Sequence, residues 1–324
     1  MSTIGPNPTL LTHCRRMDPN GKVAHVVELL IKTNEILTDM VYIEGNLPTG
    51  HRTTVRTGLP GTAWRKLNYG VQPSKSTTKQ VDDTCGMLKA YAEVDKNLAD
   101  LNANTSEFRV SEDRAFLEAM NQAMAETLFY GDTSKHPERF LGLSPRFCTK
   151  DTEQADNAES VIDAGGSGGS CASIWLVTWG ENTVHAFYPK GSLSGFQHND
   201  LGEVTLTDEE GGMYQGYRTH YKWDIGLCVR DWRYVVRIAN IPKTLSNTKL
   251  IDLMIEASEM LPNKALGLPA FYMNRQLRTA LRKEIANKGN VHLSLDEASG
   301  KTVMAFDEIP VRRCDVLHYN ETSI

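Results

Sequence analysis

The chain has 324 residues, 40% of them hydrophobic and 23% charged, and its formal net charge at pH 7 is −5. No run approaches the about 18 consecutive apolar residues of a membrane helix, and the first residues lack the basic start and apolar block of a signal peptide. We therefore expect no membrane partner. Because a single core usually stops growing at about 250–300 residues, we expect two lobes.

The six cysteines and nine histidines are scattered along the chain. No Cys-x-x-Cys pair occurs, and in a chain of this length scattered cysteines predict reduced thiols rather than a disulfide framework. No two histidines have the i, i+4 spacing of an H-E-x-x-H zinc helix. We therefore predict no metal site and no cofactor.

The first 80 residues predict an arm followed by a protruding loop. Residues 1–22 are rich in Pro and Gly, which predicts an extended arm, and the amphipathic residues 22–40 predict a packing helix. Residues 41–80 alternate Gly and Pro with short β-type runs, and Trp64 and Tyr69 favour extended structure there. This pattern predicts an extended β loop of two strands, which is unstable alone and is best explained if a partner covers it.

The same loop is strongly basic. Residues 41–80 contain six basic side chains and one acid, Glu44, for a net charge of +5, so the rest of the chain must carry −10. A basic protrusion on an acidic body favours contact between one copy and the next, and it would equally suit a nucleic acid. The overall acidic balance argues against a dedicated DNA-binding protein. The candidates for inter-subunit contact are Arg52, Arg56, Trp64, Arg65, Lys66, Lys75 and Lys79.

Two helices are predicted next. Residues 81–101 place apolar side chains at helical spacing above an acidic face. Residues 111–131 give the strongest helical pattern in the chain, with Ser111 as the N-cap and Gly131 as the C-terminal stop. The apolar residues of the loop that follows, up to Phe147, predict that this loop is buried.

The second half predicts mostly strands. The run AGGSGGS at 164–170 lacks the Lys-Ser/Thr of a phosphate-binding loop and predicts a surface turn. Residues 171–179 and 182–191 predict a hairpin, and 211–241 predict two or three strands whose aromatic side chains suit packing better than base stacking. Two helices, capped by Ser246 and Asn274, the second ending at Gly289, precede a closing hairpin and a return strand.

No catalytic motif accompanies these elements. The chain contains neither the G-x-S-x-G of a nucleophile elbow nor a dinucleotide-binding fingerprint. We therefore predict that the protein is not an enzyme.

The order of these parts resembles the major capsid proteins of tailed bacteriophages, whose shell fold is shared with encapsulins. The stretches FYMNRQLRTALRK (271–283) and DEIPVRRCDVL (307–317) look like the family's strand-to-helix junction and its late return strand. The short-tailed phage branch looks closest. The resemblance covers nearly the whole chain.

The resemblance implies an α+β capsid fold. In it, residues 1–40 are the N-terminal arm and 41–80 the extended β loop that lies over a neighbouring subunit. A peripheral domain at 81–159 contains a long spine helix at 111–130, an axial mixed α/β domain spans 160–300, and 301–324 return to the peripheral domain. Some relatives crosslink a Lys to an Asn, but no residue here identifies such a pair.

The resemblance also implies a function and partners. The chain would self-assemble as hexamers and pentamers into the icosahedral head shell of a virion, formed in the host cytoplasm. Scaffolding, portal and decoration proteins and non-specifically packaged double-stranded DNA would be its further partners. Two alternatives stay open: an encapsulin-like compartment shell, and a nucleic-acid-binding protein that uses the basic loop.

Overall fold

The structure is a computed structural model of the chain, and it describes residues 32–101, 105–208, 210–243, 247–286, 293–298 and 301–324. The predicted arm at 1–22, most of the predicted helix at 22–40, the proposed cap Ser246 and the proposed stop Gly289 lie outside the described residues.

The described elements are short helices, one long helix and many strands. The helices are α1 (Ile36–Asp39), α2 (Lys96–Ala99), α3 (Thr105–Tyr130), α4 (Leu143–Arg146), α5 (Asn247–Glu259) and α6 (Arg275–Ala286). Short 3₁₀ helices occupy Asp156–Ser160, Trp232–Tyr234 and Lys264–Leu266. The strands are β1 (Tyr42–Glu44), β2 (Gly50–Gly58), β3 (Thr77–Thr84), β4 (Gly86–Asp95), β5 (Val161–Asp163), β6 (Cys171–Trp179), β7 (Val184–Tyr188), β8 (Gln197–Thr207), β9 (Met213–Val229), β10 (Val235–Pro242), β11 (Leu268–Met273), β12 (Leu293–Ala298), β13 (Lys301–Phe306) and β14 (Ile309–Arg313).

Twelve of these strands form one mixed sheet, and β2 and β3 form a separate pair. Strand β6 lies centrally, antiparallel to both β10 and β11. On one side the sheet continues through β11, β14, β13 and β12. On the other side β7 leads to β9, which pairs with β4 and with β8. The sheet therefore joins the middle of the chain to its C-terminal part.

Strand β6 separates two cores. All of its residues are buried, as expected for a strand covered on both faces. Trp175, Val177 and Trp179 belong to one core, which includes Met124 of α3. The alternate residues belong to a second core, which includes residues of α5 and α6. The apolar content of this chain is thus divided between two faces of one sheet.

The long helix α3 agrees with the sequence prediction at its end and differs at its start. It ends at Tyr130, and Gly131 follows with its N–H donated to the carbonyl of Thr127 at 2.9 Å. It begins by Thr105, so Ser111 lies inside the helix and the prediction that Ser111 caps it is wrong. Phe108 explains the difference, because its fully buried ring packs with Val94 and Ala99 and fixes an additional N-terminal turn.

The predicted helix at 81–101 is wrong. Strand β4 occupies most of it and pairs with β9 from Gly86↔Ile225 to Asp95↔Gly216, and only Lys96–Ala99 is helical. The apolar residues that suggested one helical face point to opposite faces of a strand, since Met87 is exposed while Val94 is buried. Pairing with a distant strand overrides the local pattern here.

The predicted hairpin at 171–191 is also wrong. Strands β6 and β7 meet in parallel at the single pair Trp179↔Val184, and each finds antiparallel partners elsewhere. The predicted strand that contains Trp64 and Tyr69 is absent as well, because residues 59–76 form neither helix nor strand.

Other predictions are confirmed. Residues 211–241 contain β9 and most of β10, as predicted for two or three strands. The segment 164–170 contains neither helix nor strand and is followed by strand β6, so it is not the phosphate-binding loop that a helix would follow. The side chain of Asn274 accepts the backbone N–H of Leu277 at 2.9 Å and caps α6. Strands β12 and β13 form the closing hairpin, β14 is the return strand, and Phe147 is buried.

A buried ion pair fixes the C-terminal segment to the sheet. Arg237 on β10 donates to Glu321 at 3.0 Å, and the side chains are 4% and 9% exposed. Glu321 also accepts hydrogen bonds from Tyr130 and Ser173. Burial and the neighbouring Glu321 carboxylate raise the pKa of Tyr130, so this phenol stays a donor. The network links α3, the central sheet and the last residues of the chain.

We expect Glu321→Ala to lower the free energy of unfolding by about 3–5 kcal/mol, because it leaves the buried Arg237 without its counter-ion. Urea denaturation of the unassembled protein measures this. The exposed Glu153→Ala provides a control of the same chemistry and should change stability little. Equal unfolding curves for the two variants would show that the Arg237–Glu321 ion pair does not stabilise the subunit.

Candidate inter-subunit surfaces

Residues 50–84, called the flap from here on, form the separate strand pair and its connecting loop. Strands β2 and β3 pair antiparallel from Gly50↔Thr84 to Gly58↔Thr77. The strand residues near the base include the buried Thr53 and Asp83, whereas the far end is exposed. A two-stranded hairpin has no core of its own, so the flap depends on what it contacts.

The flap base is fixed to the body by one buried ion pair. Arg146 on α4 donates to Asp83 on β3 at 2.6 Å, and the two side chains are 14% and 5% exposed. Arg146 also donates to the carbonyl of Leu227 on β9 at 3.1 Å. The guanidinium thus connects the flap to the main sheet.

Arg52 is paired within the flap. Its guanidinium donates two hydrogen bonds, at 2.6 and 2.7 Å, to Asp82 on the opposing strand. Hydrogen bonding from Arg52 lowers the pKa of Asp82. Both side chains are about half exposed, so the pair adds little stability. Its main effect is to compensate the charge of Arg52 inside the flap.

The flap tip, residues 59–76, exposes both apolar and basic side chains. Leu59, Leu67 and Tyr69 are 82%, 87% and 70% exposed, and Trp64 is fully exposed. The tip contains three basic side chains and no acid, and Arg56 and Lys79 lie on the strands beside it. Large apolar side chains gathered this way on a surface mark an interaction site.

The seven candidates predicted from the sequence all lie on the flap, and all are exposed. Arg52 and Arg56 lie on β2 and Lys79 lies on β3. The tip carries the remaining four, Trp64, Arg65, Lys66 and Lys75. The structure therefore places them on one protrusion, with only Arg52 held by an ion pair within it.

An acidic segment missed by the sequence analysis complements this charge. Residues 151–163 contain five acids and no base. Asp151, Glu153, Asp156 and Glu159 are exposed, and Asp163 pairs with Lys150 at 2.7 Å. A count of charges in short windows would have found it. A groove of about 750 Å³ separates Asp156 and Glu159 from β2 of the same chain.

Three metal-binding side chains converge at the flap base. His51, His185 and Cys228 each offer one potential ligand atom, and these atoms all lie within 4.8 Å of one another. Burial, followed by the nearby His51, lowers the pKa of His185 to about 4. Burial, followed by the charge of Asp83, raises the pKa of Cys228 to about 12. The sequence prediction of no metal site did not anticipate this convergence.

In the part of the chain that the structure describes, none of the helices has the length and apolar character of a membrane span.

We expect Arg146→Ala to loosen the flap base, because it removes the buried counter-ion of Asp83. Amide hydrogen exchange should become faster in residues 50–58 and 77–84 and stay unchanged in β6. Arg233→Ala is the control, since Arg233 lines the groove beside the flap but pairs with Asp231. Unchanged exchange in the flap would show that Arg146 does not hold it.

Comparison with known proteins identifies close and distant relatives. The sequence model of the family described as major capsid protein GP7 matches residues 18–324. A chain of the near-atomic cryo-EM structure of bacteriophage Epsilon15 is 38% identical, with a TM-score of 0.76 over 100% of this chain and 99% of that chain. No curated protein sequence matches the chain.

Two further solved structures are much less similar in sequence. The bacteriophage JBD30 capsid is 7% identical, with a TM-score of 0.51 over 89% of this chain and 92% of that chain, which shows a common fold alone. An encapsulin complex from Synechococcus elongatus PCC 7942 is 10% identical, with a TM-score of 0.46 over 69% of this chain and 95% of that chain. A similarity as low as the last one supports no argument about function.

Proposed function

The chain belongs to the major capsid protein GP7 family, and we propose that it assembles by placing its flap on a neighbouring copy. It is a bacteriophage major capsid protein and a subunit of the icosahedral head shell. The proposal concerns how neighbouring subunits meet. The observation that carries it is the flap tip, whose large apolar side chains are exposed on a hairpin without a core.

Apolar burial supplies most of the strength of this contact. Covering a large apolar side chain stabilises by about 1.5–3 kcal/mol, whereas an exposed ion pair contributes about 0–1 kcal/mol. The tip has five exposed apolar side chains of this kind, Leu59, Trp64, Leu67, Tyr69 and Val71. Because every subunit of a shell repeats the same contact, modest contributions add up over the particle.

Charge determines where the flap tip docks. The tip carries positive charge and no acid, and residues 151–163 carry negative charge and no base. Opposite potentials of this kind steer two surfaces together and disfavour wrong registers. The acidic segment of a neighbouring subunit is therefore the docking surface that we assign to the tip.

The other parts take the roles that the resemblance gives them. Residues 1–40 brace adjacent copies, 81–159 with α3 as the spine helix form the peripheral domain, 160–300 form the axial domain, and 301–324 return to the peripheral domain. The ladder between β4 and β9 joins the segments assigned to the two domains. Subunits gather as hexamers and pentamers in the host cytoplasm. Scaffolding, portal and decoration proteins and packaged double-stranded DNA are further proposed partners.

We expect the triple variant Arg65→Glu, Lys66→Glu, Lys75→Glu to fold and to fail in shell assembly. These three residues are in the tip, outside both cores, so reversal changes docking but not the fold. Negative-stain electron microscopy shows assembly, and circular dichroism shows folding.

The control reverses three exposed lysines elsewhere, Lys135, Lys190 and Lys264, and changes the net charge equally. Shells from the control but not from the tip variant support the flap as the contact. Normal shells from the tip variant would remove the proposal.

We expect Trp64→Ala to raise the protein concentration needed for assembly about tenfold to a hundredfold. The physical reason is the loss of about 1.5–3 kcal/mol of apolar burial per contact, since 1.4 kcal/mol is a factor of ten. Light scattering across a concentration series measures this. Leu193→Ala, at another exposed apolar side chain, should leave the threshold unchanged if the tip is the docking element. A threshold unchanged by Trp64→Ala would contradict the apolar contribution.

A further inference from the structure

Two cross-strand pairs face each other where the flap meets the main sheet. His51 lies opposite Asp83 in the β2–β3 pair, and His185 lies opposite Cys228 in the β7–β9 pair. Directly opposed residues in an antiparallel pair place their side chains on the same face. We call these four residues the flap-base box. It combines two imidazoles, a thiol and a carboxylate from two separate sheets.

The two pairs are in contact across the boundary between the sheets. The rings of His51 and His185 meet edge to face, with their centroids 5.4 Å apart. The candidate ligand atoms of His51, His185 and Cys228 lie within 4.8 Å of one another. The fourth member, Asp83, is close enough for its charge to raise the pKa of the Cys228 thiol.

Polar atoms inside the box lack partners. His185 is 1% exposed, and neither of its ring nitrogens has a hydrogen-bond partner of good geometry, the backbone of Gly180 being a weak contact. Asp83 is 6% exposed, its Oδ1 accepts from Arg146, and its Oδ2 accepts no hydrogen bond of good geometry, since the nearby thiol of Cys228 is a weak donor. A buried polar atom without a partner is costly, and a bound ion is one of the ordinary explanations for it.

We propose that the flap-base box binds a zinc ion through His51, His185 and Cys228, with Asp83 as the fourth ligand. Imidazole nitrogen, thiolate sulfur and carboxylate oxygen are the ligands that zinc takes in tetrahedral sites, at about 2.0–2.3 Å. The thiolate argues against magnesium and calcium, which prefer oxygen ligands. The ligand atoms of His51, His185 and Cys228 must approach one another by about 1 Å to reach these distances, and the Asp83 carboxylate, which is not within this group of three, must turn towards them.

The charges of the box suit a divalent cation. On binding, the thiol of Cys228 releases its proton to solvent, a zinc–sulfur bond forms, and zinc loses bound water. The thiolate and the Asp83 carboxylate then offset two of the three positive charges of zinc and Arg146, so the occupied site keeps a net charge of +1. Arg146 continues to hold Oδ1 of Asp83, and once the Cys228 thiol has lost its proton, Oδ2 is left for the metal.

One existing contact must change. The backbone N–H of Asn46 donates to Nδ1 of His51 at a long distance of 3.3 Å. Zinc at Nε2 moves the ring proton to Nδ1, where it would face this N–H, so the contact breaks. Its loss leaves β2 in place, because the side chain of Asn46 also forms two hydrogen bonds with the backbone of Arg52.

Zinc would join the flap to the body at a second point beside the Arg146–Asp83 pair. Two of the ligands belong to the flap and two to the main sheet. This role rests on the proposed function, in which the flap must be held at a fixed angle to reach a neighbour. Zinc binding itself does not depend on that function.

Cobalt is the probe that tests the box. The purified unassembled protein, stripped with a chelator under reducing conditions, is titrated with Co²⁺ and followed by absorption. We expect one equivalent per chain to produce thiolate-to-cobalt charge transfer and the visible bands of a four-coordinate ion, and Zn²⁺ to abolish both. The absence of these bands would overturn the proposal.

Substitutions in the flap-base box test whether the cobalt bands arise from a metal bound there. We expect His51→Gln and Cys228→Ser to lose the cobalt bands, and the exposed Cys148→Ser to keep them. Because His51 is only partly buried, its variant stays informative if Cys228→Ser does not fold. Bands that persist in His51→Gln with the intensity of the unsubstituted protein would place the metal elsewhere and overturn the proposal.

Assembly is measured separately, so that a failure of the zinc proposal can be distinguished from a failure of the flap-contact proposal. Shells that form through the flap while Co²⁺ gives no bands would overturn the zinc site and leave the flap contact. Cobalt bands in a protein whose tip-reversed variant assembles normally would support the zinc site and remove the flap contact.

Discussion

Strand β6 is buried at every residue, and a strand without an exposed face needs apolar side chains on both sides. Helix α3 contributes to one of these layers, and α5 and α6 contribute to the other. The partners of β6 follow from the same requirement. Strands β10 and β11 flank it and extend both cores, so Phe271 and Tyr272 point to opposite faces. Stability of the isolated subunit therefore comes mainly from the two layers around this sheet.

The flap lies outside that arrangement. Its base is held by Asp83 and Arg146, and its tip contributes no residue to either core. A change in the tip therefore affects what the subunit contacts, while a change near β6 affects whether the subunit folds. Separating these two properties suits a shell protein, which must be stable before it meets its neighbours and must still offer them unburied apolar surface.

Local signals were sufficient for some elements of this fold. Asn274 caps α6 and Gly131 follows the end of α3, and both effects depend on residues within a few positions. Strand β4 was mistaken for a helix because its apolar residues fit a helical spacing, and its true partner, β9, is distant in sequence. The start of α3 was misplaced for a related reason, since Phe108 is buried by residues of β4 and α2.

The surface sites also fall into those that the sequence can predict and those that it cannot. The basic flap was predictable because its charges are contiguous, and the acidic residues 151–163 were predictable by the same count. The flap-base box was not, because His51, Asp83, His185 and Cys228 come together only when two strand pairs stack. Spacing rules for metal sites find ligands that share a helix or a turn. They do not find ligands contributed by opposed strands of separate sheets.

The pairing of Arg52 with Asp82 shows how the flap divides its charge. A cation near the base is neutralised across the strands, and the cations of the tip have no acid beside them in residues 56–79. The base can then pack against the body without an unpaired charge, while the tip keeps a field that reaches a neighbour. Since screened charges lose their effect within about 8–10 Å at physiological salt, this field selects the docking register only at close approach. Apolar contact must then hold the docked tip in place. The exposed ring of Trp64 can supply this contact because it lies among the basic residues of the tip.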